Sequence, residues 1–311
     1  MNTERIVIGK NNPHVFPDLE IWGFPIALYL FLGGLAAGIL FFTAYQYIRT
    51  KGQISETLSR AAWFAPVALV VGLIALFIDL HNKLFVWRLY TTINFDSPMS
   101  WGAWTLLVIT PLSILWVLSL MKQDTFNSGW TASLRIVHNW SVRNRGVLAW
   151  SLMLLSVVLG VYTGILLSAF NARPLWNSEA LAMLFLTSGL STGVVIILWL
   201  STRKEEIKFY RRTDAALIGL ELLLIIYFFM GLVSGPKAAV ESVKLFFGGA
   251  FTFPFWSLVV VMGLVLPLVI EVLEMRGKKV PRYLVPVLVL AGGLIFRVII
   301  VQAGQVSSFA I

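Results

Sequence analysis

The chain contains no cysteine. This excludes disulfides, thiolate nucleophiles and an iron–sulfur cluster ligated by this chain. Histidine is almost as scarce, with only His14, His81 and His138 in 311 residues. A b-type haem takes axial ligands from within helices, usually paired across a bundle. No such pair is present, so no haem is expected. Charge is sparse as well: 13% of residues are charged, about half the share of an ordinary soluble domain. Against these absences, 58% of the residues are hydrophobic and the mean hydropathy is +0.84. A soluble fold of this length could not hide so much apolar surface in one core. The composition therefore excludes a cytosolic enzyme, a disordered chain and a nucleic-acid-binding module. The net charge of +9 reads as basic loops facing anionic lipid.

A membrane-spanning helix needs about 20 mostly apolar residues. Eight segments qualify, at about 22–48, 61–80, 101–121, 146–170, 180–201, 214–235, 255–273 and 284–304. Continuous runs of this length favour helices over a barrel, whose strands alternate and run to about 10 residues. The expectation is an all-α integral membrane protein, with a tail at 1–20 and an eight-helix domain at 21–311 packed as two four-helix bundles. Residues 1–20 are polar and hold no apolar segment, so no cleavable secretory signal is expected.

Orientation follows from the basic residues. The tail and the connections after spans 2, 4 and 6 carry seven Lys and Arg, whereas those after spans 1, 3, 5 and 7 carry sixteen. The richer side is expected to be cytoplasmic and both termini outward, in a multi-pass protein of the bacterial inner membrane. The connection at 122–145 places Trp130, Leu134, Val137 and Trp140 or Ser141 at helical spacing, as in a short helix lying on the interface.

Ionisable groups inside a membrane are costly, so each is a candidate functional residue. They are Asp79 at the end of span 2, Glu221 in span 6, Arg297 in span 8 and Glu271 near the end of span 7. Glu271 lies close to EMRGKK and reads as an interface residue that snorkels to water. From the direction of each helix, Tyr29, Asp79, Tyr162 and Arg297 share one layer in the outer half. Two readings stay open: Asp79 and Arg297 form an ion pair that locks two helices, or the layer lines a pocket for an amphipathic ligand with a polar head. His81 is read as interfacial or as a proton-exchange partner beside that ligand. Glu221 is read as a satisfied helix–helix contact or as part of a proton path. The small residues Gly34-x-x-x-Gly38, Gly292 and Gly293 suit close helix packing.

Seven local features resemble the NrfD/PsrC family, the membrane subunits of polysulfide-reductase-type complexes. They are ALYLFLGGLAAG (27–38), SPMSWGAW (97–104), YTGILLSA (162–169), PLWN (174–177), LFLTSGLSTG (184–193), Asp214 with Glu221, and GGLIFRVIIVQAGQ (292–305). The resemblance implies a quinol-handling subunit without a redox cofactor of its own. It would oxidise menaquinol or ubiquinol and pass electrons to an iron–sulfur subunit on the outer face, and through it to a catalytic subunit. Tyr162 matches the family's quinone-contacting tyrosine, and Asp79 its helix 2 acid, here followed by LHNK. Where the family's pattern has an Asn and a His in helix 1, this chain has Ile26 and Tyr29. On this reading Tyr29 or Tyr162 hydrogen-bonds a quinone oxygen. Asp79, helped by His81, accepts a proton, Arg297 steadies the developing charge, and Glu221 belongs to a proton path. The alternatives are a structural anchor without a ligand and a secondary transporter with helices broken at Pro66, Pro111 or Pro267.

Overall fold

A computed structural model describes residues 22–53, 55–80, 82–92, 94–123, 133–170 and 173–307. Among these there is no strand, and eight helices are long and apolar enough to cross a membrane. They are α1 (Phe24–Arg49), α2 (Glu56–Asp79), α3 (Pro98–Leu120), α4 (Arg145–Ser168), α5 (Ala180–Leu200), α6 (Lys204–Val233), α7 (Pro254–Met275) and α8 (Leu284–Val306). The tail at 1–20, His14, His81 and Trp130 lie outside the described residues.

Local chemistry explains most of the boundaries. Pro25, Pro98 and Pro254 sit in the first turns of α1, α3 and α7, where a missing N–H costs nothing. Ser55 caps α2 by accepting from the Leu58 N–H at 3.3 Å, and Glu56 in the first turn suits the positive end of the helix dipole. α1 ends with Arg49 in its last turn, and Lys51 and Gly52 with positive φ reverse the chain. α6 begins ten residues earlier than hydropathy suggests. The polar stretch KEEIKFYRRT continues the helix, and Tyr210 from it is fully buried against Phe42. At about 1.5 Å per residue these 30 residues reach about 45 Å, longer than the hydrocarbon core.

Of the three prolines considered as helix breaks, one leaves its helix intact and two stand at a change in the helix. α3 runs through Pro111 without interruption. In α2 the helix is interrupted at Trp63, ahead of Pro66. In α7 the residues Pro254–Val265 form a π-helix that becomes α-helical at Leu266, next to Pro267.

α1 is the hub. It packs against α2, α4, α5 and α8, while α5 also packs on α4, α6 and α8, and α7 lies along α8. α1 and α5 are therefore covered mostly by protein, whereas α6 presents Leu223, Ile226 and Met230 outward. Glycines permit the central contact. Gly34 and Gly38 of α1 face Gly189 and Gly193 of α5, with no room for a β-carbon at Gly38 or Gly193. Gly263 and Gly292 meet in the same way between α7 and α8. On the end away from the termini, Arg135–Arg143 forms the short helix expected there. It exposes Val137 and Trp140 and buries His138, whose Nδ1 lies 2.9 Å from the Leu118 carbonyl oxygen.

Candidate functional site

At the end of the fold that holds the termini, α1 to α4 enclose a cavity of about 470 Å³. Its walls are mostly apolar: Trp22, Ile26, Leu76, Leu80, Leu89, Met99, Ala103, Leu106 and Leu166. Its polar groups are few and convergent: Tyr29 from α1, Asp79 from α2, Tyr162 from α4 and Tyr90 from the short helix Arg88–Thr91. A mainly apolar cavity of a few hundred Å³ with a few aimed polar groups is the usual form of a small-molecule site.

Each polar group is held by its own element. Tyr29 and Tyr162 are buried, and their hydroxyls interact, with the Tyr90 hydroxyl in electrostatic reach of Tyr29. Gly102 of α3 lies against the Tyr162 ring and lets it reach the cavity. Asp79 is the last residue of α2 and half-buried at the rim, and no ion pair reaches it among the described residues. The Trp22 wall is fixed from the far end of the chain. Gln305 at the end of α8 accepts from the Trp22 N–H at 2.8 Å and donates to the Trp22 carbonyl oxygen at 2.7 Å. Trp22 also stacks on Trp176, whose Nε1 donates to the Ile300 carbonyl oxygen at 2.8 Å.

Three of the four residues expected in one polar layer thus share the cavity, and Arg297 does not. Tyr29 and Gly34 are five positions apart on α1, which turns them about 140° from one another. Tyr29 faces the cavity, while Gly34 faces Arg297, on the side of α5 and α8. The expected Asp79–Arg297 pair is therefore not formed. Arg297 is 1% exposed and donates from Nη1 to Ser188 Oγ at 2.6 Å and to the Gly293 carbonyl oxygen at 3.0 Å, and from Nη2 to the Phe185 carbonyl oxygen at 3.3 Å. The rings of Phe31, Phe185 and Phe296 surround its guanidinium.

Arg297 belongs to a second polar system, most of which sequence reasoning missed. Glu221, past the middle of α6, interacts with the same Ser188 hydroxyl. One helical layer further, Ser191 donates to Asp214 at 2.6 Å, and the Asp214 carboxyl lies against that of Glu271. Next to these, Arg211 pairs with Glu274 at 3.2 Å at the end away from the termini. Glu271 is fully buried, which corrects its reading as a snorkelling residue. Two signals in the sequence could have exposed the system. Asp214 and Glu221 are seven positions apart, so they share a face of α6, and Ser188 and Ser191 are three apart on α5. Among the described residues, no group of three or more His, Cys, Asp or Glu could hold a metal ion.

Fold and site together define a polytopic helical membrane protein with a ligand-sized cavity at the end where α1 begins and α8 finishes. Comparison with known proteins gives the family. The chain belongs to the polysulphide reductase NrfD family, whose model matches residues 10–309. It is 32% identical to a chain of the polysulfide reductase of Wolinella succinogenes, over 92% of this chain and 94% of that protein. It is 30% identical to protein NrfD of Escherichia coli, over 92% of this chain and 96% of that protein. A more distant relative is a subunit of the tetrathionate reductase of Salmonella typhimurium, at 29% over 58% of this chain and 49% of that protein.

Proposed function

We propose that this chain is the membrane anchor and quinol-oxidising subunit of a respiratory reductase, with its termini on the outer side of the bacterial inner membrane. The observation that carries this reading is the meeting of Tyr29, Tyr162 and Asp79 in one apolar cavity. Such a cavity suits a quinol: its walls take the ring, and hydroxyls and a carboxyl meet the ring oxygens. A quinol bound there supplies two electrons and two protons when it is oxidised. The phenols of Tyr29 and Tyr162 orient the headgroup by hydrogen bonds at its oxygens. Asp79 accepts one of these protons at a carboxylate oxygen and, being at the rim, releases it to water on the outer side, and then takes and releases the second in the same way. His81, two positions on, is a candidate relay for these protons. Electrons leave toward an iron–sulfur subunit docked on the outer face and through it to a catalytic subunit. The relatives that belong to polysulfide and tetrathionate reductases support membership in such a complex. The excess of basic residues at the opposite end supports the orientation, and the reading includes a two-bundle arrangement, with α1 to α4 around the cavity and α5 to α8 beside them.

The test is a titration of the purified protein with a hydroxyquinoline N-oxide, followed by quenching of its fluorescence. Saturable binding weakened by Tyr162→Phe or Asp79→Asn is expected. No binding by folded protein would move the reading to a structural anchor or a transporter.

The polar system around Arg297 supports a second reading, a proton path from the cytoplasmic side through Glu221. Carboxyls as close as Asp214 and Glu271 can pass a proton between them, and Ser191 and Ser188 link that layer to the next. Proton release by liposomes containing the complex should lose stoichiometry in Glu221→Gln. Unchanged stoichiometry would remove the path and leave Glu221 as a helix–helix contact.

A further inference from the structure

We propose that the end of the fold away from the termini binds one anionic phospholipid, with its headgroup between the α1–α2 turn and the ends of α3 and α4 and an acyl chain between α2 and α3. Two cavities adjoin there. The first, of about 560 Å³, is lined by Ser55, Ser59, Arg60, Lys122 and Arg145 among others. The second, of about 290 Å³, is lined only by apolar side chains, among them Pro66, Val70, Ile114 and Val117. Trp63 lines both and is 47% exposed. An aromatic residue between a polar and an apolar compartment is the arrangement found at the headgroup level of a bilayer.

The charge balance selects an anion. Among the described residues three cations line the first cavity, and its one carboxylate, Glu56, is paired with Arg60 at 2.9 Å. Lys122 and Arg145 contribute positive charge that no carboxylate in the cavity offsets among the described residues. Arg145 is anchored by one edge, with Nη2 donating to the Ser119 carbonyl oxygen. A fixed guanidinium with donors to spare suits a phosphate oxygen. Ser59 Oγ donates to the Leu120 carbonyl oxygen at 3.1 Å, which ties α2 to the end of α3 beneath the headgroup position.

The apolar half selects a lipid over a free phosphate. From Trp63 to Val71 the groove follows α2 for about 12 Å toward the membrane centre. Val67, Val70 and Val71 line it and remain more than 40% exposed. A free phosphate would occupy the first cavity alone. A zwitterionic lipid would gain the second and only part of the first, because its headgroup cation is repelled by Lys122 and Arg145.

Native mass spectrometry of the detergent-purified full chain, titrated with dioleoyl phosphatidylglycerol, tests this. Dioleoyl phosphatidylcholine, with the same chains, should bind at least tenfold more weakly, and millimolar inorganic phosphate should not displace the anionic lipid. Lys122→Gln, at an exposed position, and Arg145→Gln should each weaken phosphatidylglycerol binding at least fivefold and phosphatidylcholine binding by less than twofold. Val70→Phe, which fills the groove, should weaken both lipids. Should Arg145→Gln fail to fold, Lys122→Gln and Val70→Phe decide alone. Equal binding of the two lipids, displacement by phosphate, or binding indifferent to Lys122→Gln and Val70→Phe would overturn the site.

Discussion

A β-carbon on Gly102 would fall inside the ring of Tyr162. The backbone of α3 and the tyrosine of α4 thus adjoin so closely that the residue at 102 decides how Tyr162 stands beside Tyr29. In Gly102→Ala, Tyr162 must leave this position or α3 must move outward. Misplacing an orienting group by about 1 Å can cost about 100-fold in rate. Quinol-dependent turnover is expected to fall by at least tenfold in Gly102→Ala, with the complex still assembled. Steady-state kinetics with a soluble quinol analogue would measure it. Unchanged turnover would mean that Tyr162 does not orient the substrate.

On the proposed reading, Asp79 separates binding from chemistry. It sits half-buried in the cavity that the two buried phenols share, and forms no ion pair among the described residues. A general base in this position contributes about 100- to 10,000-fold to rate. Asp79→Asn preserves the shape of the cavity, so inhibitor binding should weaken only a few-fold while turnover falls by at least 100-fold. If turnover and inhibitor binding instead fall in parallel, Asp79 acts in binding and the proton leaves elsewhere.

Depth in the membrane is legible in the sequence, and direction around each helix is not. Counting residues from the ends of apolar runs is enough to place Tyr29, Asp79 and Tyr162 near one another, because rise per residue is constant. The same count places Arg297 with them. Only packing reveals that Arg297 looks toward Ser188 and away from the cavity, on the other side of α1. Hydropathy finds the eight spans but begins α6 at 214, because it measures lipid compatibility and the first ten residues are polar but helical. Proximity to EMRGKK suggests water for Glu271, whereas contact with Asp214 across α6 and α7 buries it. Tyr90 is one aromatic among several in an interfacial connection, and nothing in the sequence marks it out. It enters the cavity through the turn made by Arg88–Thr91.

Arg297 and Glu221 share Ser188, so their removal should not be additive. Deleting one partner of a buried charged system leaves the other uncompensated, at a cost of about 3–5 kcal/mol. Arg297→Ala should therefore lower the thermal midpoint of the purified protein sharply. Adding Glu221→Gln to it should recover part of the loss, since the stranded carboxylate is gone. Additive losses in the double variant would show that the two side chains are energetically independent despite Ser188.

The approach of α1 to α5 makes a paired comparison of glycines decisive. At Gly193, a β-carbon would meet the Gly38 backbone directly, and backbone cannot move aside as the end of a side chain can. At Gly219 in α6, nothing among the described residues lies within 4 Å of the same atom. Glycine costs a helix about 1 kcal/mol relative to alanine, so Gly219→Ala should be neutral or mildly stabilising. Gly193→Ala forces the two helices apart, and overpacking of this kind costs about 1–3 kcal/mol, offset only in part by the better helix former. Thermal unfolding of both variants in one detergent should therefore show shifts of opposite sign. The loss at Gly193 should deepen in Gly193→Val, whose branched side chain needs more of the space that Gly38 occupies. If Gly193→Ala and Gly219→Ala shift the midpoint equally, intrinsic helix propensity governs both positions. The contact through which α1 joins α5 would then tolerate a wider spacing than the four glycines allow.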